Sequence, residues 1–199
     1  SGNGHQIGDN RIGYSAGLIW GNSWEKLTFD RTYYALGDGG DVEPSHEYAF
    51  EQLQNQINLS SIASVGAEFG EHHSLSFSTL WMRSTENTTR IYQGFNRDVD
   101  DDIRVTRLRW VERDLAFNQI RGEHVFPGLK NLTLEWQGSL SFAKRNEPDR
   151  RETRYDYEVG SDVWYLSDRP EGNTIFYSYL NDRNLDFSSS VSLPFRLFQ

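Results

Sequence analysis

Apolar and polar residues alternate with period two along most of this chain, and the three-to-four-residue spacing of an amphipathic helix is scarce. The pattern predicts a first strand at 12–20, "IGYSAGLIW", turned by "GNS" at 21–23 into a second strand at 24–35. The Gly, Asp and Pro content of "LGDGGDVEPSHE" (36–47) reads as a loop. A third strand over 48–69 has Ile57, Leu59, Ala63, Val65, Ala67 and Phe69 on one face and Ser60, Ser64, Gly66 and Glu68 on the other. After "GEHH" (70–73), a fourth strand over 74–85 sets Leu75, Phe77 and Trp81 against Ser74, Ser76 and Ser78.

The polar stretch 86–102 then reads as a long connection, and a fifth strand runs from Ile103 to Phe126. "PGLKN" turns it into a sixth strand whose Leu132, Leu134, Trp136, Leu140 and Phe142 share a face. The charged region 143–173 accommodates one further strand around "TRYDYEVG". A last strand in 174–194 places Leu185, Phe187, Val191 and Leu193 opposite Asp186, Ser188, Ser190 and Ser192.

Two features point away from an ordinary soluble sheet. Short turns of three to five residues alternate with connections of about twelve to thirty. A strand of twenty-odd residues also spans roughly 65–75 Å, against a usual length of about 5–6 residues. An outer-membrane barrel combines long strands with short periplasmic turns and long external loops. Near the short turns one face is aliphatic or aromatic and the other is Ser, Gly and Ala. Farther away, "IRVTRLRWVERD" spreads charge over both faces, as strands standing above a membrane would. Trp24, Phe69, Phe126 and Phe195 sit beside the short turns, where an interfacial aromatic girdle belongs.

The predicted fold class is therefore all-β, an antiparallel meander of about 7–8 long strands forming part of a transmembrane outer-membrane β-barrel. Residues 1–199 are read as one barrel segment, with no composition break that marks a second domain.

Composition refines this picture. Aromatics at 14% argue against disorder despite only 36% hydrophobic residues. No run of about 18 apolar residues supplies a membrane helix. A net charge of −9 argues against nucleic acid as a partner. With no cysteine, disulfides, thiolate metal sites and cysteine nucleophiles are excluded.

No nucleophile–base motif is present, so the chain reads as no enzyme, and no cofactor is expected. "DVDDD" (98–102) lacks the spacing of an EF-hand and reads as a solvated loop tip. His72 and His73 point apart on an extended chain, against a shared metal. "RNEPDRRETRYDYE" reads first as ion pairs between strands. Its functional alternative is a ligand surface in which Arg150, Arg151 and Arg154 grip an anion. Tyr155, Tyr157, Trp164 and Tyr165 would then stack on a sugar or an aromatic ligand.

The run "STENTTRIYQGFN…DDDIRVTRLRWVERDLAFNQIRGEHVFPGLKNLTLEWQGSLSFAKRNEPDRRETRYDYE" resembles the barrel of TonB-dependent outer-membrane receptors. The resemblance covers roughly residues 10–195, in strand rhythm and wording. It implies a closed, plugged barrel in the bacterial outer membrane, in contact with outer-membrane lipid. External loops would capture a siderophore, cobalamin or oligosaccharide, and the TonB–ExbB–ExbD system would drive uptake. The plug and TonB box are expected outside these residues. Two other readings stand beside it: a small closed outer-membrane barrel with a structural or adhesive role, and a secreted carbohydrate-binding β-sandwich.

Overall fold

The computed structural model describes residues 1–37, 39–170 and 172–195. It contains eight strands: β1 Gly2–Ile7, β2 Asn10–Leu36, β3 Val42–Phe69, β4 His73–Asn96, β5 Asp101–Phe126, β6 Leu132–Glu158, β7 Val163–Leu166 and β8 Asn173–Ser192. All pair antiparallel in a single sheet, in chain order from β1 to β7. The edge of β6 is shared, with β8 covering Thr133–Thr153 and β7 covering Tyr155–Glu158. One sheet leaves no second layer, so the described residues do not build a sandwich. Nor is the sheet closed: β1 covers only Asn10–Ser15 of β2, and β8 has no strand on its far side among the described residues.

The strands are longer than the alternation predicts, and two expectations change as a result. First, "GNS" is not a turn. Gly21, Asn22 and Ser23 continue β2 and pair with Asn58, Ile57 and Gln56. Asn55 Nδ2 donates to Asn22 Oδ1 at 2.6 Å, so the polar triplet is held by its neighbour strand. Trp24 is thereby moved to mid-strand, opposite Asn55, and leaves the expected girdle.

Second, the long connections shrink. Residues 86–96 belong to β4, and 143–158 belong to β6, so the stretches between strands at that end shorten to residues 37–41, 97–100, 159–162 and 167–172. The expected connections of twelve to thirty residues are thereby reduced, the longest being the β6-to-β8 link that contains β7. Side chains polar on both faces hide a strand from a hydrophobic pattern, whereas backbone pairing with a neighbour does not depend on them.

The "PGLKN" turn is built as expected. Pro127–Leu129 form one 3-10 turn, and Lys130 and Asn131 take left-handed φ angles of 59° each.

The register aligns the predicted faces into rows across the sheet. Tyr14, Val65, Phe77, Ile120, Gly138 and Phe187 form one such row. Toward the 70–72 and 127–131 turns follow Ala67, Leu75 and Trp136, then Phe69, His73, His124, Leu134 and Val191. In the other direction the apolar side chains of β4 and β6 end at Trp81 and Phe142, and the next row sets Trp20 and Leu59, where the band ends on β2 and β3, beside Arg83, Asp114 and Lys144. This banded face is open, with Phe77 and Ile120 about two-fifths exposed.

Every buried hydrophobic side chain lies on the opposite face: Tyr48, Phe50, Ile103, Val105 and Val111. Crowding on one face and openness on the other is what a sheet curling toward the crowded face produces.

Candidate functional site

The far half of the crowded face, away from the 70–72 turn, carries the chain's densest chemistry. Alternate residues of β4, β5 and β6 bring carboxylates and guanidiniums together in ladder rungs. Glu86 accepts from Arg109 at 3.1 Å and from Arg113 at 3.2 Å. Glu147 lies at the bulge beside Pro148, where a residue that cannot donate to the ladder is tolerated. Its carboxylate, 2% exposed, accepts from Arg145 and from Arg109 at 3.3 Å, with Arg150 at 3.7 Å. Farther along β6, Glu152 pairs with Arg107 at 2.8 Å. Asp156 accepts from Arg154 at 2.6 Å and from the Ser167 hydroxyl at 2.7 Å.

Beside this network β2, β3 and β4 assemble an aromatic floor. Phe50 stacks between Phe29 at 4.8 Å and Tyr92 at 4.9 Å, ring centre to ring centre. Tyr48 adds a tilted ring 5.1 Å from Tyr92, and its hydroxyl accepts from Asn96 Nδ2 at 2.8 Å. Burial pushes the Tyr48 phenol up to about 12, overcoming the opposing effect of the Asn96 hydrogen bond. Tyr92 is raised too, by burial first and by the Glu152 charge next. A depression of about 350 Å³ lies over this floor, walled by Arg31, Arg90 and Arg107 with Tyr33 and His46. Guanidinium and aromatic face are already matched there, with Arg31 5.3 Å from the Phe50 ring centre.

The ligand set expected from "RNEPDRRETRYDYE" divides between the two faces. Arg150 and Arg154 lie on the crowded face, each paired with carboxylates, and Tyr165 is aligned with Asp156. Arg151, Tyr155, Tyr157 and Trp164 fall on the banded face. There Arg151 pairs with Asp149 at 2.8 Å, and Arg104 covers the Trp164 ring at 4.4 Å. These seven residues do not converge on one point.

Of the expected girdle, Phe69, Phe126 and Phe195 do lie at the turn end, all exposed. His73 meets not His72 but His124, with Nδ1 atoms 3.2 Å apart, and Trp136 Nε1 donates to His124 Nε2 at 3.2 Å. That donation fixes the neutral tautomers: His124 carries its proton on Nδ1 and His73 accepts it there.

Arg31, Tyr48, Phe50, Arg90, Tyr92 and Arg107 escape sequence reasoning because they come from four separated segments, one of them read as a loop. The signal was the every-second-residue spacing of "RIY" and "YAF", once 86–96 is recognised as strand. No protein-family model and no curated protein matches the chain, so its relationships rest on the arrangement of its own residues.

Proposed function

We propose that this chain is a wall segment of a bacterial outer-membrane β-barrel of the TonB-dependent receptor type. It would serve active import of a scarce nutrient through a plugged lumen, driven by TonB–ExbB–ExbD. The observation that carries the proposal is the apolar band. It runs from Leu59 to Phe69 on β3 and from Leu132 to Phe142 on β6. Each stretch is about ten residues of extended chain, about 34 Å. Tilted by about 35–45°, as barrel strands are, such a stretch stands about 24–28 Å tall, close to the apolar belt of about 25 Å that outer-membrane barrels present to lipid.

Surface area supports covering by something outside the chain. The sheet exposes 13934 Å², whereas a compact globule of 23.1 kDa exposes about 9,700 Å². Lipid would cover the banded face, and further strands would satisfy the open edges of β2 and β8, which are otherwise templates for aggregation.

The crowded face supports a plug rather than an open water-filled pore. Between its polar rungs it carries Ile19, Ile62, Leu80, Met82, Leu115 and Phe117 in two adjacent rows. A globular domain in the lumen would cover this patch. The test is to express the full-length protein with an export signal and examine its outer-membrane fraction. The proposal expects a heat-modifiable band there, with uptake that ceases without TonB. A monodisperse, folded protein in detergent-free buffer would contradict it.

A further inference from the structure

We infer that the depression over Phe50 and Tyr92 is a binding site for a small aromatic dianion, a single planar ring bearing two carboxylate or comparable acidic groups. The argument is one of charge, shape and unspent hydrogen bonds. Three guanidiniums wall the cavity, and no carboxylate among the described residues lines it. Arg107 is paired with Glu152, yet its buried Nε has no hydrogen-bond partner. Arg90 spends Nε on the neutral Gln52 Oε1 at 2.8 Å, and no described carboxylate lies within ion-pair distance of it. Among the described residues the Arg31 guanidinium makes one hydrogen bond, to the Tyr33 hydroxyl at 3.3 Å.

Gathering three such cations is unfavourable without an anion. The proton affinity of Arg90 is accordingly lowered, by burial first and then by Arg107, Arg31 and Arg109. Planar guanidiniums fork onto carboxylates in pairs of parallel hydrogen bonds, which a single point charge does not do. An inorganic anion would satisfy the charge alone, and the aromatic floor supplies the second requirement. Phe50 is 6% exposed and Tyr48 is 8% exposed, so a ring lying over them is received by a fixed surface. The two phenols stay neutral at physiological pH and do not repel an anion. A cavity of about 350 Å³ is at the small end of ligand sites and suits one ring.

The inference rests on the barrel reading for placing this face toward the lumen, where a passing solute would meet it. Binding itself is a separate matter. The test uses the full-length protein folded in detergent, with heat modifiability recorded as the check on the barrel. Titration calorimetry with phthalate is compared with cis-cyclohexane-1,2-dicarboxylate, benzamide and inorganic phosphate.

The expected result is that phthalate binds most tightly and that the non-aromatic diacid, the uncharged benzamide and phosphate are each weaker. Arg31→Gln, at an exposed position, and Arg90→Gln should each weaken phthalate about tenfold, the scale of one charge-assisted contact. Arg121→Gln, toward the turn end of the same face, should leave it unchanged. If Arg90→Gln does not fold, Phe50→Leu replaces it and should selectively remove the preference for the aromatic diacid. A heat-modifiable protein that does not bind phthalate, or binds it equally in Arg31→Gln and Arg121→Gln, overturns the inference and leaves the barrel reading intact. So does phosphate binding as tightly as phthalate.

Discussion

The indole of Trp136 occupies the space beside Gly122 that a side chain would need. A Cβ built on Gly122 would lie 2.5 Å from both Cε2 and Nε1 of that ring. The two residues are cross-strand partners on β5 and β6, in the row of the band that also holds Leu75. The indole covers a backbone that glycine leaves bare, and its N–H reaches His124 on the strand beside it. Gly122→Ala must displace a ring that is hydrogen-bonded in place. It should cost about 1–3 kcal/mol, as overpacking does. At Gly66 the nearest atom to an added Cβ is 3.8 Å away, so Gly66→Ala should be neutral or stabilise by up to about 1 kcal/mol. Urea unfolding in detergent compares the two, and equal effects would contradict the close approach.

Glu147 offers a second contrast. Removing its charge leaves Arg145 without a carboxylate, while Arg109 keeps Glu86 and Arg150 keeps Glu152 at 4.0 Å. Breaking a fully buried pair costs about 3–5 kcal/mol. Here the guanidiniums are about a third exposed, and solvent reduces the loss in Glu147→Gln to roughly 2–3 kcal/mol. Glu51 pairs with Lys26 at 2.8 Å with both side chains at least half exposed. Glu51→Gln should therefore cost no more than about 1 kcal/mol. The same unfolding experiment separates them.

How much of this was legible beforehand depends on what each residue has opposite it. The face shared by Val65, Phe77 and Phe187 within their own strands could be read from alternation alone, because each is flanked by small or polar residues, whereas their alignment with Ile120 in one row came from the register. The "PGLKN" turn was equally plain. The far halves of β4 and β6 were not, since Arg90, Glu147 and Arg150 are polar residues facing inward. Strand pairing there is held by ion pairs and by the backbone, which leave no hydrophobic period. "GNS" misled for the converse reason: its local turn preference was overridden by pairing with Ile57 and its neighbours. Bringing Arg31, Arg90 and Arg107 together required the register of four strands, β2 to β5, which no single segment encodes.

Tyr48 makes alkaline pH informative. Its pKa in the folded protein is about 12, against about 10 for an unfolded tyrosine. The folded state thus holds this proton longer than the unfolded state does. The stabilisation is whole below pH 10 and is lost as pH rises through 12. Phenolate absorbance should rise in two phases, the later one diminished in Tyr48→Phe. The loss of stability between pH 10 and 12 should be shallower in that variant. An unchanged titration in Tyr48→Phe would show that this phenol is not held back by burial.

The most direct test of the barrel proposal asks whether the banded face of the sheet meets lipid. The chain has no cysteine, so single cysteines can be introduced and spin-labelled one at a time in the protein reconstituted into bilayers. Positions Phe77, Ile120 and Phe187 share one row, and Ser78, Gln119 and Asp186 share the next row on the opposite face. Labels in the first row should collide with lipid-dissolved oxygen and be shielded from a water-soluble nickel chelate, with the second row shielded from oxygen. Nickel access to the first row equal to that of the second would contradict a lipid-facing band.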